Sequence, residues 1–157
     1  METPRQIIET QKTYSSLQEI FDDSYTRIIK QGKPGVDDVG VCTYRSPDNR
    51  LGCAIGVLIS DETLKNTEWS GYQSIGVISG FTEALGAGLY EPGQEARREK
   101  SMMNLLVKMQ VAHDHSVSSF MVDDAQRNEL FLSDFKIRMA EVAKNFDLTV
   151  PEMNNGI

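Results

Sequence analysis

The sequence predicts an α+β domain that is predominantly helical, a single helical bundle carrying one small β-hairpin at about residues 40–52. Three observations point there. Three long segments place apolar residues at helical spacing, so each has one face to bury. One short run, VCTYR, is apolar and β-branched and leads straight into the turn sequence SPDN. The 157 residues, 39% hydrophobic and 25% charged, suit one domain with its own core.

The first element is SSLQEIFDDSYTRIIKQGKPG, in which Leu17, Ile20, Phe21, Tyr25, Ile28 and Ile29 form one stripe. Ser16 followed three residues later by Glu19 is a capping-box start, and Gly32 with Pro34 is a stop. The residues before it, about 1–12, are expected to be a loose arm. After the stop, Pro47 is pre-set for the second position of a type I turn, with Ser46 before it and Asp48 and Asn49 after it. A turn centred between Pro47 and Asp48 sets Cys42 opposite Cys53 in a two-stranded hairpin. The alternative is that LGCAIGVLI opens a short buried helix with Cys53 in its first turn, and periodicity does not separate the two.

The middle segment, WSGYQSIGVISGFTEALGAGLYEPG, is rich in glycine, which costs a helix about 1 kcal/mol per residue relative to alanine. Ile75, Ile78, Phe81, Leu85 and Leu89 still keep helical spacing, so a glycine-softened helix is expected there. QEARREKSMMNLLVKMQVAHDHS is a stronger helix, with Met102, Leu105, Leu106, Met109 and Ala112 inward. The last is AQRNELFLSDFKIRMAEVAKNFDL, with Phe131, Phe135, Met139, Val142 and Phe146 inward and Asp123 or Asp124 as its cap. The polar tail, about 150–157, is expected to fray.

Charge and composition narrow the function. Sixteen basic residues against 23 acidic ones give a net charge of −7, so duplex nucleic acid meets net repulsion. No apolar run approaches the roughly 18 residues of a membrane span, and the opening METPRQIIETQK lacks a signal peptide's apolar core. A cytoplasmic protein is the expectation. No Walker-type loop, G-x-G-x-x-G, H-E-x-x-H or G-x-S-x-G motif is present.

Two constellations carry chemistry. Cys53, His113 and Asp114 supply a thiol, an imidazole and a carboxylate, the material of a cysteine nucleophile with His113 as base and Asp114 orienting it. A packed thiol and a histidine satisfied at a helix C-terminus explain the same residues without catalysis, and that reading is favoured. The second constellation is Tyr44, Arg45, Asp48 and Arg50 around the turn, where paired guanidiniums beside a ring suit a phosphate or nucleotide-like ligand. A turn held by its own Arg45–Asp48 ion pair is the bland alternative. Two cysteines with ten residues between them and two histidines flanking one residue lack structural zinc spacing, so neither a metal nor a cofactor is expected.

The runs LQEIF at 17–21, KP at 33–34, C-x-Y-R-S-P-D at 42–48, C-A-I-G-V-L-I-S-D-E at 53–62 and V-A-H-D at 111–114 resemble a family of small uncharacterised proteins of bacteria and tailed phages. That pattern has a Y-R-x-P-D-G turn, a C-A-V-G-x-L-I-P-D-E segment and a later H-D helix. This chain departs from it with Asn49 for glycine and Ser60 for proline. The resemblance implies that Cys53, Gly56, Tyr44, Arg45, Asp48, His113 and Asp114 gather, with the C-A-I-G segment as a short buried helix against the H-D helix. It carries no activity, but implies a phage or prophage origin and hence a host cytoplasm. The expected function is that of a phage-type accessory protein in counter-defence or host takeover, acting by binding a host protein or a small anionic ligand. The Cys53–His113–Asp114 enzyme is the alternative, and a homo-oligomer formed through residues 75–89 is a third reading.

Overall fold

The structure is a computed structural model that describes residues 4–65, Leu85, 95–117 and 123–153. Four α-helices lie in these residues: α1 (Leu17–Gln31), α2 (Asp61–Lys65), α3 (Glu95–His115) and α4 (Asp124–Asn145), with a 3-10 turn at Gly56–Leu58. The helix expected over 75–89 falls outside the described residues, apart from Leu85, which is buried and accepts a hydrogen bond from the Tyr14 N–H.

The helix ends follow local chemistry. Ser16 Oγ accepts from the Glu19 N–H at 3.1 Å, which satisfies one of the first-turn donors that no helix can pair internally. Glu19 reaches back to Ser15, not to Ser16, so the capping box is displaced by one residue. Gly32 ends α1 in the left-handed region at φ 77°, a conformation that costs glycine nothing. Asp123 caps α4 through the Gln126 N–H.

α3 and α4 pack along their predicted stripes, burying Met102, Leu105, Leu106 and Met109 against Phe131, Phe135 and Met139. α1 closes this pair with Ile20, Phe21, Tyr25 and Ile28. The rings of Phe21, Tyr25, Phe135 and Phe131 form a chain of near-parallel contacts 5.5–6.0 Å between centroids. The predominantly helical architecture follows from these stripes.

The hairpin is not formed. Two isolated antiparallel bridges stand in its place, Val36 with Cys42 and Arg45 with Gly52. The register differs because the turn is longer than SPDN suggests. Asn49 adopts φ 60°, its N–H bonds Ser46 O, and the Ser46 N–H bonds Leu51 O, so the chain returns two residues later than a two-residue turn allows. Cys42 therefore pairs toward residues 35–36, with the Thr43 N–H on Gly35 O, and Cys53 turns away into the segment that forms the 3-10 turn. In place of the short buried helix of the alternative reading stands this single turn, with Cys53 before it and not within it.

Residues 52–60 are all buried. Glycine makes their packing geometrically feasible. A Cβ on Gly56 would lie 1.8 Å from Tyr44 O, and one on Gly35 would lie 2.3 Å from the Cys53 N. The segment expected as a loose arm is anchored to the same place. Ile7 and Tyr14 are buried, the Asp61 and Glu62 N–H groups bond Ile8 O and Glu9 O, and Gln11 Nε2 donates to Leu58 O. At the other terminus Val150 and Met153 pack, partly buried, on the core.

Gly56→Ala is therefore expected to cost roughly 3 kcal/mol or more, because backbone must move to admit the methyl group. Gly40→Ala meets no atom within 4 Å and carries only the strain of φ 84°, about 1 kcal/mol. Urea unfolding of the two variants checks the contrast.

Candidate functional site

The residues singled out by the sequence separate into an interior knot and an exposed turn. Arg45 belongs to the knot. Its side chain is 6% exposed, Nε donates to Gly56 O at 3.3 Å, Nη1 donates to Asn49 Oδ1 and Asp61 Oδ1, both at 2.8 Å, and Nη2 donates to Ile59 O. Burial pulls its pKa down, and the Asp61 carboxylate offsets part of that. Its partner is Asp61 and not Asp48, and its donors face the protein.

Asp61 is shared. Arg5 grips it with two bonds, Nη1 to Oδ2 at 2.9 Å and Nη2 to Oδ1 at 2.8 Å, while Arg5 Nε donates to Asn49 O. The Arg5 bonds, joined by that from Arg45, hold the Asp61 carboxyl well below the usual range against the opposing effect of burial. Arg45 and Arg50 are the arginines expected to hold a ligand anion; those that converge on an anion are instead Arg5 and Arg45, and that anion is the protein's own Asp61.

Tyr44 is buried, whereas Asp48 and Arg50 lie exposed on the turn. Asp48 Oδ1 accepts from Ser46 Oγ at 2.6 Å and from the Arg50 N–H at 3.1 Å, which lowers its pKa and stiffens the turn. The four residues expected to bind a ligand together thus face two directions.

His113 is fully buried among Phe131, Phe135 and the start of the knot. Nε2 accepts from the Gly35 N–H at 3.0 Å, so the proton resides on Nδ1 and is donated to Asp114 Oδ1 at 2.8 Å. Asp114 does orient the imidazole, but the nitrogen a base would use is taken by the backbone. Burial opposes ionisation of Asp114, yet the His113 contact, with bonds from Gln110 and Cys42, outweighs it and its pKa is lowered.

Cys53 has no exposed surface, and burial pushes its thiol up to about 12 although the Gly56 N–H donates to Sγ at 3.2 Å. Cys42, which the sequence reading leaves outside the site, is the thiol beside the carboxylate. Its S–H bonds Asp114, and burial together with that charge raises it to about 12 as well. One donor atom each from Cys42, His113 and Asp114 lies within 4.8 Å of the others, a spacing a metal ion could use. The tautomer argues against it. A metal on Nδ1 would move the proton to Nε2, donor against donor with Gly35, and a metal on Nε2 would displace that N–H altogether.

An open cleft of about 320 Å³ lies beside the turn. Pro34, Val36, Leu51 and Val117 supply apolar lining, and Lys33, Arg127 and Asn128 supply polar groups. The sequence reading names none of them as a site, although Lys33-Pro34 belongs to the family-like pattern. Comparison of the chain with protein families, curated proteins and solved structures finds no match.

Asp61 gives the knot a pH signature. Its folded pKa lies below the unfolded value of about 3.9, so its contribution is complete above that pH and is lost as pH falls toward the folded value. The urea midpoint should fall steeply below about pH 4. Asp61→Asn should lower the midpoint at pH 7 and flatten part of the acid limb, Asp114, Asp48 and Glu19 shifting in the same direction and keeping the rest.

Proposed function

We propose that this chain acts by binding and not by catalysis, as a small phage-type accessory protein that engages a host protein or sequesters a small anionic, nucleotide-like signal in counter-defence or host takeover. The observation that carries the reading is the sealing of the reactive residues. Cys53 is wholly buried with its thiol at about 12, and both nitrogens of His113 are engaged. A cysteine nucleophile needs the opposite, an accessible thiol with a lowered pKa and a free base beside it. The phage setting rests on the family resemblance, and the anionic ligand on the basic groups around the turn and the cleft.

Under this reading the sequence motifs are retained for packing, and the recognition surface lies outside the knot. Thiol chemistry tests it. In a Cys42→Ser background, Cys53 should react with Ellman's reagent at pH 8 roughly a thousandfold more slowly than free cysteine, as a rise from about 8.5 to about 12 dictates. A ligand or partner mass retained in native mass spectrometry should also survive Cys53→Ser. Reaction at or above the rate of free cysteine would return the thiol enzyme to first place.

A further inference from the structure

We infer that the cleft between residues 33–40, Leu51 and the start of α4 binds a small molecule carrying one anionic group, carboxylate or phosphate, on a compact apolar body. This rests on the binding reading above and moves its site from the Arg45 side of the turn to the neighbouring face. The cleft's volume of about 320 Å³ falls at the small end of the roughly 300–1,000 Å³ that ligand sites occupy. It accommodates a small molecule more readily than a helix.

Charge selects the ligand. Two cations, Lys33 and Arg127, line the cleft with one carboxylate, Asp124, on a chain whose net charge is −7. Asp124 Oδ1 stands 3.1 Å from Arg127 Nη2, so that cation is already matched. The Lys33 ammonium has no ion pair among the described residues, and the half-buried Asn128 carboxamide has no side-chain hydrogen bond among them. An ammonium and an amide N–H near apolar walls suit one anionic head group with a short hydrocarbon part.

The walls are held before any ligand arrives. Asp37 Oδ1 accepts from the Val39 and Val41 N–H groups at 3.0 and 2.9 Å, and the Asp37 N–H bonds Val41 O, closing the loop that carries Val39 and Gly40. Ser46 Oγ accepts from the Leu51 N–H at 2.9 Å and fixes the opposite side. A preformed site loses little freedom on binding. Val39, 82% exposed, stands at the lip.

The test is a nitrogen-15 NMR titration of the full chain with octanoate and octyl phosphate as anionic probes and 1-octanol as the neutral one. Saturable shifts are expected at the amides of Val36, Leu51 and Val117, with at least one anionic probe at least fivefold tighter than octanol. Lys33→Glu should weaken that probe at least fivefold. Lys144→Glu, at the far end of α4 from Asn128, should leave it unchanged, which separates the site from bulk charge. Val36→Trp, filling the cleft, should abolish the shifts with the rest of the spectrum native. Absent or unsaturable shifts, equal affinity for octanol, or indifference to Lys33→Glu would overturn the inference. A partner mass that persists while the cleft stays silent would sink the cleft alone, whereas a fast-reacting Cys53 would sink the binding reading beneath it.

Discussion

Residues 52–60 lie wholly inside the molecule, yet beyond one 3-10 turn they form neither helix nor strand, so few of their backbone groups pair among themselves, the Val57 N–H on Cys53 O and the Leu58 N–H on Ile55 O being two that do. Each unpaired buried N–H or C=O costs about 1–3 kcal/mol, and the surroundings must supply partners one by one. Gln31 bonds both the N–H and the carbonyl of Gly52. Ser24 donates to Ala54 O, Gln110 accepts from the Ile55 N–H, and Gln11 bonds Leu58 O and the Ser60 N–H. Arg45 takes the carbonyls of Gly56 and Ile59. The N-terminal arm, α1, α3 and the turn are each fastened to the segment by a side chain, and their mutual placement follows from it.

That requirement explains why reactive-looking residues are present without being free to react. Arg45 is needed because a planar guanidinium can serve two carbonyls, an amide oxygen and a carboxylate at once. Asp61 is needed to neutralise the buried charge that results. His113 presents an acceptor to the Gly35 N–H, and Asp114 fixes the tautomer that allows it. Two free thiols fit the same logic as small, weakly polar fillers. The cleft lined by Lys33 and Asn128, where we propose that recognition occurs, lies outside the knot.

The sequence reads well where information is local. The stripes of α1, α3 and α4, the Ser16 and Asp123 caps and the Gly32 stop each depend on residues within a turn or two. Of the residues that the resemblance implies should gather, Cys53 and Tyr44 both lie against Gly56, whereas Asp48 is exposed on the turn. The pairings inside the knot do not read the same way, since Arg45–Asp61, Gln31–Gly52 and Gln110–Ile55 join residues 16, 21 and 55 positions apart with no period to announce them. The hairpin register turns on one residue, Asn49, whose left-handed conformation shifts the return by two positions. A stretch of glycines and aliphatics such as LGCAIGVLI does not reveal that glutamines and an arginine elsewhere will satisfy its backbone.

The most direct test is the unfolding free energy of Arg45→Met, which keeps much of the side chain's bulk and removes every donor. If the buried segment depends on side-chain partners, two carbonyls lose theirs and stability should drop by roughly 3 kcal/mol or more, a large share of the about 5–15 kcal/mol of a typical domain. A loss within about 0.5 kcal/mol, the range of an unremarkable surface substitution, would mean that Arg45 does not hold the knot and that its guanidinium is free for a ligand after all.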